Sequence, residues 1–226
     1  MAKKVRVVIE EGPKGKRFVA WAPDWPGLER GAKTPEAAVE SLQEYIPRYV
    51  PVAKLAKLDA ELAGATVMDV VERYPGTGST DFWGISFAYS SVDSLALSHE
   101  QLTREIALMR ACWRRFDVVR HRVSAEMRKG PRGGGRDRDR IVRHTLATVQ
   151  EWARKVGVTT PSGDVIVDAD GLKAYRAAHC RAITSFNSEG KMARTWPLRF
   201  LIRHTAFHTM DHTWEMEDKN VKMGET

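Results

Sequence analysis

The sequence predicts an α+β protein of two domains, on three observations. The β-rich runs fall within residues 1–75, helical periodicity dominates residues 91–226, and a Pro/Gly/Ser stretch, Pro75-Gly76-Thr77-Gly78-Ser79, stands between them. The expected arrangement is a small α+β domain over 1–75, a hinge and docking segment over 76–90, and a four-helix bundle over 91–226. A chain of 226 residues is long enough to bury a core in each part.

Val5-Arg6-Val7-Val8-Ile9-Glu10 and Arg17-Phe18-Val19-Ala20-Trp21-Ala22 are rich in β-branched and aromatic residues. They flank Glu11-Gly12-Pro13-Lys14-Gly15-Lys16, a run of turn formers, and are expected to pair as a hairpin. A helix should start at Thr34-Pro35. Threonine supplies a cap oxygen, proline suits the first helical position, and Ala38, Leu42, Tyr45 and Ile46 follow at helical spacings. Pro47 and Pro51 are expected to break that helix, with Val52 to Leu62 forming a second short one before Gly64. Thr66 to Tyr74 reads as a further strand. Asp81 to Tyr89, with Phe82, Trp83, Phe87 and Tyr89, is expected to be a strand that docks one domain on the other.

A strand, then Pro23-Asp24-Trp25-Pro26-Gly27, then Gly31-Ala32-Lys33-Thr34-Pro35-Glu36-Ala37 leading into a helix, resembles the small α+β domain of HicB-like proteins over residues 1–50. The resemblance implies a structural or interaction module. Nothing in the sequence resembles that family's partner toxin or its attached DNA-binding helix-turn-helix.

Beyond Ser91 the periodicity becomes helical. Leu102, Ile106, Met109, Trp113, Phe116, Val119 and Val123 recur at spacings of three and four, which predicts a long amphipathic helix from Ser98 to Lys129. Its start can equally be placed at Ser91 or Asp93. Gly130-Pro131-Arg132-Gly133-Gly134-Gly135 ends it as a crossover. A second helix follows Arg136-Asp137-Arg138-Asp139-Arg140 and runs to Val156, with Gly157 as its stop. A third spans Ala169 to Asn187, and Ser188-Glu189-Gly190 separates it from a fourth around Trp196 to Glu215. Four helices of similar reach suit a four-helix bundle.

The fourth helix carries the chemistry. His204, His208 and His212 follow one another at four-residue intervals, so each imidazole lies one turn from the next and offset by about 40°. A pair at i, i+4 is a recurrent way to hold a transition metal, because two ring nitrogens converge while the backbone fixes their spacing. On spacing alone either pair qualifies. His144, on the second helix, sits at the edge of an inward face made by Ile141, Thr145, Thr148, Val149 and Trp152 and is the third candidate ligand. Three imidazoles leave a coordination position for water or substrate.

With these residues the second half resembles the DinB/YfiT-like superfamily of four-helix proteins, over residues 90–219 and most closely along His208-Thr209-Met210-Asp211-His212-Thr213-Trp214-Glu215-Met216-Glu217-Asp218. The resemblance implies a divalent metal, zinc first with nickel or another ion as alternatives, held by His144, His208 and His212 with His204 in reserve. It also implies a metal-dependent transferase or hydrolase acting on a small molecule, with a low-molecular-weight thiol as co-substrate. Asp211 and Glu215 are then candidates to orient an imidazole or accept a proton, and Arg143 and Arg203 to receive an anionic substrate. The alternative is a non-catalytic interaction or stress protein with a structural metal or none. His99, His121 and His179 are expected at the surface, and Cys180 to be buried and inert.

Composition limits the remaining choices. Lys and Arg number 36 against 29 Asp and Glu, a net charge of +7, which favours anionic partners. The basic stretch Arg120 to Arg143 alternates arginine with Asp137 and Asp139 and has no interleaved aromatic to stack bases, so it reads as a solvated loop and nucleic acid is not expected. Cys112 and Cys180 are the only cysteines, in keeping with a reducing compartment. No apolar run approaches the about 20 residues of a membrane helix, and Val5 to Ile9, interrupted by Arg6, is too short for a signal segment of about 7–15 apolar residues. A cytoplasmic protein, pairing as a homodimer through exposed helix faces, is expected.

Overall fold

The computed structural model describes residues 3–130, 134–160 and 165–221. Pro131, Arg132 and Gly133 of the expected crossover, and both ends of the expected domain ranges, lie outside them. Strand β1 (Lys3–Glu11) is central in a four-stranded mixed sheet of order β3-β2-β1-β4. It pairs antiparallel with β2 (Phe18–Trp21), which pairs antiparallel with β3 (Glu29–Ala32), and parallel with β4 (Ala65–Pro75). The two faces of β1 differ as alternation requires. Val5, Val7 and Ile9 join Ala20 and Ala22 in a large apolar cluster, while Val8 packs with Trp21 and Tyr74 on the other side.

Helix α1 (Pro35–Leu55) covers the first face. Thr34 caps it, its hydroxyl accepting from the Ala37 amide at 3.1 Å, and Ala38, Leu42, Ile46, Tyr49, Val52 and Ala53 are its buried stripe. Pro47 and Pro51 lie inside this helix instead of ending it, a correction to the expected break. The apolar stripe continues without interruption past both prolines, and Pro47 is exposed while Pro51 is half-buried, so neither ring displaces the buried stripe. A short helix α2 (Asp59–Leu62) precedes β4. The Pro23 to Leu28 loop is wedged between α1 and the later helices: Pro26 offers its carbonyl to the Tyr49 hydroxyl at 2.7 Å. Gly27, at φ +99°, lies where a Cβ would come within 3.1 Å of Cys112 Sγ and 3.4 Å of the Ala206 backbone. Only glycine meets both demands.

Residues 81–89 do not form the expected strand. Helix α3 (Gly78–Trp83) opens with a capping box at Thr77 and ends at Gly84 in the left-handed region, and helix α4 (Ser91–Ser94) follows. The reason lies in where the polar groups go. The Asp81 carboxylate accepts from the amides of Lys14, Lys16 and Arg17, clamping the β1–β2 turn. The amides of Phe87 and Ala88 donate to the buried Glu10 carboxylate at 3.0 and 3.1 Å instead of to a neighbouring strand.

Four long helices complete the chain: α5 (His99–Arg122), α6 (Arg138–Ala153, extended by a 3-10 turn to Val156), α7 (Ala169–Ser188) and α8 (Leu198–Asp218). Helix α5 stops seven residues short of the expected Lys129. Val123 turns into extended backbone, and Ser124 bonds by its amide and hydroxyl to Asn220 Oδ1. Helix α8 packs along both α5 and α6, α7 lies against α5, and α1 also packs on α5. Nearly every side of α8 is buried, including Arg199, Arg203, His204, Thr205, Thr209, His212 and Thr213. A helix covered on all sides lies inside the molecule and not on its surface. One apolar cluster therefore runs from Val5 and Ile9 through Tyr49 and Met109 to Met210 and Trp214. Among the described residues no helix is long and apolar enough to cross a membrane.

Candidate metal centre

The histidine column of α8 divides in two. His208 and His212 meet His144 of α6, with one nitrogen from each ring lying within 4.8 Å of the others. Ring centroids are 5.2 Å apart for His144–His208, 4.9 Å for His144–His212 and 4.6 Å for His208–His212. His144 is exposed, His208 half-buried and His212 buried, so the cluster opens to solvent on the α6 side. His204, one turn away, belongs to an aromatic nest. It stacks on Phe200 with centroids 5.0 Å apart and planes at 14°, and lies 4.6 Å from the Trp152 ring. Burial, then the Arg203 charge, lowers its pKa to about 3.

The polar surroundings suit neutral imidazoles. His212 Nδ1 lies 2.7 Å from Glu215 Oε2, and Lys219 Nζ donates to Glu215 Oε1 at 2.6 Å. The hydrogen bond with His212, and Lys219 beyond it, outweigh burial and bring the Glu215 pKa down to about 2. A carboxylate fixed in that way accepts a hydrogen bond from His212 Nδ1–H and leaves Nε2 as the atom free to ligate. His208 has a buried Nδ1 with no hydrogen-bond partner among the described residues. Burial, followed by the charges of His212 and His144, holds its pKa well below the ordinary value. His144 is lowered too, by burial first and then by His212 and Arg136. Both shifts favour the neutral imidazole that metal ligation requires.

The other expected residues are placed differently. Asp211 points away from the imidazoles and pairs with Arg30 of β3 at 3.3 Å. One position from His212 turns a side chain by about 100° on a helix, so closeness in sequence is not closeness in space. Arg143 is exposed on α6, next to His144 in sequence. Arg203 is buried and committed elsewhere. It makes two 2.8 Å bonds to Asp93, donates to Ser86 Oγ and the Ala88 carbonyl at 3.0 Å, and lies 3.9 Å over the Trp21 ring. Glu29, whose pKa burial pushes up to about 8 despite Arg203, stands 3.5 Å from the same guanidinium. Around it Glu10 accepts from Tyr74 and Ser86, so one polar network joins β1, β3, β4, α4 and α8. Its signal in the sequence was faint, an acid, Glu10, directly after the apolar run of β1.

His179, expected at the surface, is fully buried against Trp113 and Tyr175; His99 and His121 are exposed, and Cys180 is buried. Arg136 was counted only with the basic loop. Its charge acts on both His144 and His208, and its Nη1 is buried with no partner among the described residues. No protein-family model matches the chain, and comparison with curated proteins and with solved structures finds no match either.

Proposed function

We propose that His144, His208 and His212 hold one divalent metal ion, zinc first and nickel next, and that the centre serves transfer or hydrolysis of a small molecule, with a low-molecular-weight thiol as co-substrate. The observation that carries this reading is the convergence of three imidazole nitrogens from two helices within 4.8 Å. The unpartnered His208 Nδ1 and the Glu215–His212 contact support it, because buried polar nitrogens otherwise need partners and ligating histidines are oriented by a carboxylate. The reading includes the resemblance of α5 to α8 to a DinB/YfiT-like bundle and of the N-terminal segment to a HicB-like module.

Three neutral imidazoles leave such an ion a Lewis acid with a position for water or a thiol. The protein's part is to orient and to exclude water. Glu215 fixes the His212 ring, Trp152, 5.2 Å from the His208 ring, walls the buried side, and the exposed His144 edge leaves the approach for substrate. Ligands from two helices also favour a second reading, in which the ion ties α6 to α8 and does no chemistry.

Metal analysis of the purified protein tests the site. One ion per chain is expected, lost in His208→Ala and His212→Ala but retained in His204→Ala; Glu215→Gln should weaken affinity by about 10–100-fold. A protein that neither retains metal nor melts higher with added zinc sinks both readings. Cobalt substitution separates them: a saturable change in the visible spectrum on adding a small thiol supports catalysis, and an unchanged spectrum leaves the structural role.

A further inference from the structure

A groove of about 680 Å³ lies between the C-terminal turn of α1 and the facing sides of α5 and α7. A concavity of this size suits a small molecule. Six cationic side chains line it, Lys57, Arg110, Arg114, Arg120, Lys173 and Arg176, against the single carboxylate of Asp117. Asp117 is already shared, ion-paired with Arg120 at 3.2 Å and accepting from both terminal nitrogens of Arg176. Arg114 is held at the rim by the Leu55 carbonyl. Lys57, Arg110 and Lys173 have no carboxylate partner among the described residues. Cations gathered in one concavity repel one another and concentrate a positive field there, which a multiply charged anion relieves.

Lys57 adds to that field. It closes α1 in the left-handed region at φ 62°, in the position where its own amide bonds the Lys54 carbonyl at 3.0 Å and the Leu58 amide reaches back to Ala53 at 2.9 Å. That closure ordinarily uses glycine, because a side chain there is strained. A lysine in that position sets one more positive charge on the rim of the basic groove.

We propose that this groove binds a small molecule carrying two or more phosphate groups. Several guanidinium forks around one cavity match phosphate oxygens better than a lone carboxylate. Trp113, the only large aromatic in the lining, is 2% exposed and offers no face for stacking bases, which argues against a nucleic-acid strand. None of His144, His208 and His212 lines the groove, so the site stands apart from the proposed metal centre.

Titration calorimetry of the full chain with inorganic tripolyphosphate, at fixed ionic strength, tests the proposal. One-site binding is expected, with inorganic phosphate weaker, and an Arg110→Glu, Lys173→Glu double variant weaker by about tenfold or more. Lys57→Gly should melt at a higher temperature than the parent yet bind tripolyphosphate less tightly, a combination that a merely misfolded variant does not produce. Absence of binding, or equal binding by the double variant, overturns the proposal. Loss of binding in His208→Ala would place the anion at the metal centre and also overturn it. So would a single-stranded oligoribonucleotide that binds more tightly than tripolyphosphate and is lost in the same double variant.

Discussion

His179 shows how a single buried side chain writes itself into the pH dependence of stability. Its ring is fully buried, 5.8 Å from the Trp113 ring and 6.5 Å from that of Tyr175, and neither nitrogen has a hydrogen-bond partner among the described residues. Burial lowers its pKa from 6.5 to about 4. Because the folded value is the lower one, the unfolded chain takes up the proton first as the solution is acidified. The contribution of His179 is whole above pH 6.5 and is lost progressively as the pH falls to the folded value near 4. His179→Phe should therefore flatten the fall of melting temperature across that window and be no less stable than the parent at pH 8, where no hydrogen bond is lost. An unchanged acid slope would contradict the assignment. Nothing beside His179 in the sequence marks it as buried, whereas the column His204, His208, His212 was legible from its spacing alone. Spacing could not choose between its two pairs. That choice is made largely by residues far away in sequence, Trp152 and Phe87 closing on His204 together with Phe200 of its own helix, while His144 faces the other two.

Helix α1 makes the same point one level up. Each interior proline removes a backbone bond and crowds the carbonyl four residues earlier, at a cost of about 3 kcal/mol in an ordinary helix. The stripe from Ala38 to Ala53 nevertheless stays buried through both of them, and that packing outweighs the local rule. Pro47→Ala, at an exposed position, should restore the missing bond and stabilise the protein by about 1–3 kcal/mol, reduced by the greater freedom of the unfolded chain. Denaturant unfolding measures this; a destabilised variant would mean that the proline is needed for the path of α1. The elements most legible in sequence were those whose local pattern and tertiary role agree, namely β1, β2, β4 and the four long helices. Strand β3 was missed because Glu29-Arg30-Gly31-Ala32 has no β-branched or aromatic residue, and it exists because β2 pairs with it. The segment 81–89 misled in the opposite sense. Its aromatic residues promise a strand, but Phe82 and Trp83 remain exposed and the backbone amides of Phe87 and Ala88 are taken by Glu10.

At the scale of the whole molecule, α8 is where the sheet and the helices meet. Tyr45 of α1 lies edge-on to Trp214 with centroids 4.9 Å apart, Arg48 pairs with Glu217 and Asp218, and Arg203 gathers Asp93, Ser86 and the Ala88 carbonyl from the segment that follows β4. The apolar cluster is continuous from Val5 to Trp214, so neither part can lose its packing without exposing the other's. Unfolding should therefore occur in one step, with tryptophan fluorescence and far-ultraviolet circular dichroism giving coincident denaturant curves. Separate transitions would show instead that the sheet with α1 is an autonomous unit. Arg203 is the residue on which this cooperativity can be tested chemically. Removing its guanidinium leaves the Asp93 carboxylate buried at 1% exposure with its strongest partner gone, a loss of about 3–5 kcal/mol for a broken buried pair. Arg203→Met should lower the midpoint of both curves together. An additional Asp93→Asn, which removes the stranded charge, should recover part of the loss, and two independent, additive losses would instead mean that Arg203 and Asp93 do not act as a coupled pair.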